Sequence, residues 1–220
     1  MNEHQLRKTF IKYGQKLYEQ DLIAATEGNF SVRLDENRIL ATPSGLCKGD
    51  MREDDLVIID PQGNHLHGDR RVSSEILMHL EVYRHRPDAR AVLHAHPPIC
   101  IALMLAGKGL DLPLLAENVV MMGKVPIAPY ARPSTPELPA SIRTLIQLTD
   151  FLLLNRHGSL TIGASLPEAF YKLEMMEHTA QSYLAALQIG PVQPLPADEI
   201  KALNQLRVSR YQIPWRMIPF

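Results

Sequence analysis

The sequence has 220 residues, 45% of them hydrophobic, which suits one sizeable core and leaves no room for several large domains. Lys and Arg number 23 against 24 Asp and Glu, a formal net charge of -1, which argues against a nucleic-acid or anionic membrane surface. No stretch reaches the roughly 18 apolar residues of a membrane span. Two cysteines, Cys47 and Cys100, make no disulfide framework, and the N-terminus lacks an apolar leader, so a cytoplasmic protein is expected.

Leu6, Phe10, Tyr13 and Leu17 recur at helical spacing and predict an amphipathic helix over residues 3–20. Gly28-Asn29 marks a tight turn before a strand beginning near Phe30. That turn is either plain punctuation or an anion-binding turn, since exposed backbone N–H groups and the Asn29 amide both donate. Residues 35–38 read as a hairpin turn, 39–41 as the returning strand, and Thr42-Pro43-Ser44-Gly45 as a second donor-rich turn. Residues 56–60 form a further strand, turned by 61–64. A hairpin-rich sheet behind one helix follows from this part of the chain. It carries neither Gly-x-Gly-x-x-Gly nor a phosphate-loop lysine motif, so a dinucleotide-binding fold is not expected.

Ser73-Ser74-Glu75 opens a helix with Ile76, Leu77, Leu80 and Tyr83 along its apolar stripe and Ser73 as N-cap. The two hydroxyls either only cap or form a phosphate seat at a helix N-terminus. Glu75 lies in the first turn, where a carboxylate is favoured. Ala91, Val92 and Leu93 read as a short buried strand running into His94 and His96. Strand residues i and i+2 share a face, so the two imidazoles project together as half a metal site. A helix over about 99–106 follows. In the mostly apolar stretch 112–123 the one carboxylate is Glu117, which is either solvent-facing or, if buried, paired or used. Residues 125–130 are a proline-broken strand suited to a sheet edge. Thr135 and Pro136 start a helix with Leu138, Ile142 and Leu145 on its buried line. The apolar strand 150–155 delivers His157 at its end, and 159–163 continues as a short strand. Pro167 opens the longest helix, to about Leu187, in which Met175 and Met176 read as packing. A helix over 197–206 and an aromatic tail complete the chain.

His94, His96 and His157 are a candidate set of three nitrogen ligands, a number that suits catalytic zinc with an open position. The order Gly28-Asn29, Thr42-Pro43-Ser44-Gly45, Ser73-Ser74-Glu75, His94-Ala95-His96 and His157-Gly158 resembles the class II aldolase/adducin family over about residues 5–211. The resemblance implies a single domain over residues 1–220 of α/β class. Its architecture would be a three-layer α/β/α sandwich around a central, largely antiparallel sheet. It further implies a homotetramer with active sites between subunits, to which the tail of about 207–220 contributes.

The same resemblance implies one divalent metal per subunit on His94, His96 and His157, with Glu75 as a movable fourth ligand. Zinc is the expected ion; manganese, iron and cobalt are compatible. Gly28, Asn29, Ser44, Gly45, Ser73 and Ser74 match positions that hold a substrate phosphate. Glu75 also matches the catalytic acid or base, and Tyr211 a tyrosine that reaches a neighbouring site. The sequence departs from the fuculose-phosphate aldolases at 114–118, where Glu117 stands in place of their proton-donating tyrosine. The implied activity is cleavage of a ketose 1-phosphate to dihydroxyacetone phosphate and an aldehyde. The alternatives are an epimerase, decarboxylase or dehydratase of a phosphorylated sugar in the same superfamily, or a non-catalytic adducin-like interaction module.

Overall fold

The computed structural model describes residues 2–220. In chain order it contains α1 (Glu3–Glu19), β1 (Asn29–Arg33), β2 (Ile39–Ala41), β3 (Val57–Ile59), β4 (His65–His67), α2 (Ile76–His85) and β5 (Ala91–Ala95). There follow α3 (Pro98–Leu105), α4 (Ala116–Met121), β6 (Ile127–Ala128), α5 (Glu137–Ile142), β7 (Phe151–Leu154), β8 (Gly158–Gly163), α6 (Leu166–Ile189) and α7 (Ala197–Leu206). The eight strands form one sheet in the order β4-β3-β2-β1-β5-β8-β7-β6. Every pairing is antiparallel except β6 with β7.

The sheet is covered on both faces, and the side-chain alternation of its strands decides what each face meets. Phe30, Val32, Leu40, Ile58, Ala91 and Leu93 pack with Phe10, Tyr13 and Leu17 of α1 and with Phe170 and Leu173 of α6. The intervening residues Ile39, Ala41, Val57, Ile59 and Val92 pack with Met78, Leu80 and Val82 of α2 and with Leu138 and Ile142 of α5. A third cluster joins α3 to α6 and to Phe151 and Leu153. Each fully buried Leu or Phe in these layers contributes about 1.5–3 kcal/mol. Helix α1 starts with a reciprocal cap, in which Gln5 N donates to the Asn2 side chain at 2.9 Å and Asn2 N donates to that of Gln5 at 3.4 Å.

Three features position the functional end of the sheet. Helix α3 begins directly after His96, and Glu177 of α6 accepts from Ile99 N and Cys100 N at 2.9 Å each. A carboxylate thus satisfies two orphan donors of that helix and pins the segment beyond β5. On β1, Asn29 is the antiparallel partner of His94. An isolated bridge between Pro43 and Val72, with Ser44 N donating to Arg71 O and Ser73 N to Thr42 O, ties the 42–45 turn to the 71–74 segment.

That last tie corrects one expectation. Ser73 does not cap α2: the helix begins at Ile76 with Glu75 in the cap position, and Ser73 Oγ accepts from Glu75 N at 3.3 Å. Its backbone is engaged with Thr42, so the chain stays extended there and the helix starts later. The tail also folds back on its own chain. Trp215 Nε1 donates to Met121 O at 2.7 Å, Met217 is buried, and Ile218 bridges to Lys124. Among the described residues, no helix is long and apolar enough to cross a membrane.

Candidate metal centre

His94 comes from the C-terminal end of β5, His96 from just beyond that strand, and His157 from the tight β7–β8 turn. His94 and Val92 share a face of β5, the face that packs on α2, and the start of α2 brings in Glu75. The three rings lie with centroids 4.7–5.3 Å apart. One ligand atom of each lies within 4.8 Å of the others. Gly158 makes this approach possible. A Cβ there would stand 2.4 Å from Ala95 O, 2.7 Å from the His96 ring and 3.0 Å from the His94 ring. Gly28 has φ +70°, and a Cβ there would stand 2.5 Å from the Ile23 side chain.

The hydrogen bonds set the tautomers. His94 Nδ1 lies 2.8 Å from Ser159 O, which can only accept, so the proton sits on Nδ1 and Nε2 offers a lone pair. His96 Nδ1 lies 3.1 Å from Glu27 Oε2, with the same consequence. The two Nε2 atoms are 3.0 Å apart. Two lone pairs facing each other at that distance repel unless a cation lies between them. His157 Nε2 is 3.1 Å from Glu75 Oε1, and His94 Nε2 is 3.2 Å from Glu75 Oε2. Three imidazole nitrogens and one carboxylate therefore converge, and this donor set fits a divalent metal.

Electrostatics agree with that fit. Burial pushes the His96 pKa down to about 4, so its ring is neutral and ligand-ready near pH 7. Burial works against ionisation of Glu75, but the His157 ring, whose Nε2 can donate to it at 3.1 Å, holds its carboxyl far below the usual range. One turn further along α2, His79 is buried and its pKa is pushed down to about 3 by that burial. His79 Nδ1 bonds Ser31 Oγ at 2.7 Å, and Ser31 Oγ in turn lies 2.9 Å from Tyr83 OH. A polar ladder thus runs from His79 through Ser31 to Tyr83 along the α2–β1 contact.

The residues expected to hold phosphate fall into one neighbourhood. Ser44 and Gly45 are exposed on their turn, beside Ser73 and Ser74. Asn29 is buried, and its Nδ2 donates to Glu75 Oε2 at 3.0 Å while its Oδ1 has no partner. This bond joins the Asn29 turn directly to the candidate metal centre. Glu117 and Tyr211 behave differently. Both are exposed, and together they line a cavity of about 220 Å³ with Ala116, Val120, Met121, Leu203 and Leu206. None of the candidate metal or phosphate residues lines that cavity. A larger, apolar hollow of about 1080 Å³ between α7 and Phe220 also lacks them.

Sequence reasoning missed Glu27, although it adjoins the Gly28-Asn29 turn. Its carboxylate holds the imidazole of His96 and also accepts from Ala24 N at 3.3 Å. Partners of this kind orient metal-bound imidazoles and raise their basicity. Glu27→Ala is expected to weaken metal binding about tenfold, the lower end of the usual range because Glu27 is half exposed. Competition with a chromophoric chelator measures this, and an unchanged metal Kd would remove Glu27 from the site.

Comparison with known proteins agrees with this geometry. The sequence profile of the class II aldolase and adducin N-terminal domain matches residues 8–184. The chain belongs to the class II aldolase/adducin family. It is 31% identical over 202 residues to a 3-oxo-tetronate 4-phosphate decarboxylase of Haemophilus influenzae, covering 90% of this chain and 95% of that one. It is 34% identical over 200 residues to a 5-deoxy-D-ribulose 1-phosphate aldolase of Bacillus thuringiensis serovar kurstaki, covering 90% and 92%. A solved L-fuculose 1-phosphate aldolase superimposes with a TM-score of 0.83 at 32% identity, covering 93% of this chain and 97% of that one. Family, fold and the histidine cluster support a metal-dependent enzyme of the aldolase, epimerase and decarboxylase superfamily.

Proposed function

We propose that this chain reversibly cleaves a ketose 1-phosphate to dihydroxyacetone phosphate and an aldehyde. It would use one divalent metal per subunit, zinc in preference to manganese, iron or cobalt. The observation that carries the reading is the convergence of the His94, His96 and His157 nitrogens with the Glu75 carboxylate. When bound there, a divalent metal supplies Lewis acidity to the substrate carbonyl and the oxygen beside it. The chain's own residues do the rest. Asn29, Ser44, Gly45, Ser73 and Ser74, with the Gly28 turn, seat the phosphate and so fix the reacting carbon, turning binding energy into orientation.

Retro-aldol cleavage has two proton needs. The hydroxyl beyond the breaking bond must lose its proton as its oxygen becomes a carbonyl. The carbon that keeps the electron pair must gain one. Glu75 sits among the ligand nitrogens and takes the second task. Glu117, next to Tyr211 in one cavity, takes the first. Since that cavity contains no metal residue of its own chain, we assign the pair to a neighbouring subunit's site in a homotetramer. The setting we assign is the cytoplasm.

Decarboxylation of a phosphorylated 3-oxo acid is the second reading, favoured by the 31% identity to the Haemophilus influenzae decarboxylase. A ketose 1-phosphate and a 3-oxo-tetronate 4-phosphate share a phosphate-bearing carbon, a carbonyl and a hydroxylated carbon. They differ in what leaves, an aldehyde or carbon dioxide. A departing carboxylate has no hydroxyl proton to lose, so a base beyond the breaking bond has no work there. The role assigned to Glu117 therefore belongs to the aldolase reading alone. Incubating metal-loaded protein with a panel of ketose 1-phosphates and with 3-oxo-tetronate 4-phosphate tests the choice. The expected result is one aldehyde per dihydroxyacetone phosphate from a ketose 1-phosphate. Carbon dioxide from the acid, with no aldehyde from any ketose, would overturn it, as would a mere inversion of a sugar centre.

A further inference from the structure

Lys48 is the odd charge of this fold. Its side chain is almost fully buried, at 2% exposure. Its Nζ donates to Thr26 O at 2.7 Å and to Leu46 O at 2.8 Å. Among the described residues no carboxylate forms an ion pair with it, whereas the other deeply buried cations have partners at contact distance. Lys172 meets Asp150 at 2.7 Å and Glu168 at 2.8 Å, and Arg86 meets Asp150 and Asp88 at 2.7 Å each. A buried ammonium satisfied only by two carbonyls carries an uncompensated charge, which is costly unless an anion arrives.

The two carbonyls belong to the segments that carry the two turns proposed to hold phosphate. Thr26 lies three residues before Asn29, and Leu46 directly follows Gly45. The backbone of Lys48 is itself fixed from behind by α1, where a Cβ on Gly14 would stand 2.5 Å from Lys48 O. The ammonium is therefore held on the protein side of both turns and close enough to feel the charge of Glu75. Burial pushes its pKa down to about 8, opposed by charge at Cys47 and Glu75.

We infer that Lys48 is the buried cation of the phosphate seat, a positioning residue that clamps the 26–29 turn to the 44–46 turn and attracts the substrate's phosphate dianion through them. The inference rests on the reading of the substrate as a phosphate ester. It gives that seat a charge, which the neutral donors of Asn29, Ser44, Gly45, Ser73 and Ser74 lack.

Titration calorimetry with inorganic phosphate, on the metal-loaded wild type and on Lys48→Met, tests it. The expected result is phosphate binding to the wild type, weakened about tenfold or more in Lys48→Met, at equal metal content. Steady-state kinetics should split the same way, with KM for the phosphorylated substrate raised about tenfold and a smaller change in kcat. Lys48→Arg, which keeps the charge, should recover most of the phosphate affinity. Wild-type phosphate affinity in Lys48→Met would overturn the inference and leave the phosphate reading intact. A wild type that binds no phosphate would overturn the phosphate reading itself, and the inference with it. If Lys48→Met does not fold, Lys48→Gln carries the measurement. Failure of both to fold would make Lys48 a structural staple and overturn the inference.

Discussion

His94→Ala is expected to lose bound metal and activity together. His94 is fully buried, and both of its ring nitrogens are committed, Nδ1 to Ser159 O and Nε2 to the common centre with His96 and Glu75. Alanine removes a ligand that no neighbour can replace, because His96 is tied to Glu27 and Asn29 to Glu75. Loss of one of three imidazoles should exceed the 10–100-fold penalty typical of deleting a mere ligand support. The Lewis acid contributes several kcal/mol to the transition state, so activity should fall by about 10³-fold or more. Elemental analysis and turnover on one preparation measure both effects, with circular dichroism to verify the fold. Full activity in a metal-free His94→Ala protein would sink the metal-dependent scheme.

Much of this centre is legible in the sequence because it depends on strand parity. A two-residue spacing at the end of a buried strand predicts His94 and His96 on one side, and although β5 ends at Ala95, their Nε2 atoms lie 3.0 Å apart. The continuous apolar runs of β2, β3 and β7 and the alternating β8 are equally legible, as is the proline-broken β6 at the sheet edge. What escaped was short or polar. β4, His65-Leu66-His67, is exposed along its whole length and pairs only through its backbone with β3, so no hydrophobic period announces it. α4 spans 6 residues, less than two turns, and its apolar stretch reads the same as a strand or a loop.

Long-range contacts account for the rest. Nothing local in Thr26 or Leu46 shows that both carbonyls would hold Lys48, 22 and 2 residues away. Glu27 reads as a loop acid until Leu22 O accepts from His96 N at 2.9 Å and draws the two segments together. Ser73 illustrates the opposite error. Its local sequence is a good cap, but the bridge of the neighbouring Val72 to Pro43 takes its backbone elsewhere. Tertiary hydrogen bonding outweighed a capping preference of about 1 kcal/mol. The candidate site thus combines a histidine-bearing strand end, legible locally, with turns brought together from distant parts of the chain.

Glu75→Gln is expected to keep the metal on its three histidines while activity drops about 10²–10⁴-fold, the usual contribution of a positioned acid or base. The amide can still accept from Asn29 Nδ2, which now donates to Glu75 at 3.0 Å, so the packing of α2 on β1 should survive. It cannot exchange a proton with the reacting carbon. The alternative role, ligand only, predicts a different pattern: activity would follow metal occupancy and return to wild type at saturating metal. Solvent deuterium exchange into dihydroxyacetone phosphate separates the two without any aldehyde, because it reads proton transfer at that carbon alone. Wild-type protein should exchange it and metal-saturated Glu75→Gln should not. Wild-type exchange in the metal-saturated variant would leave Glu75 as a ligand and move the proton chemistry to another group.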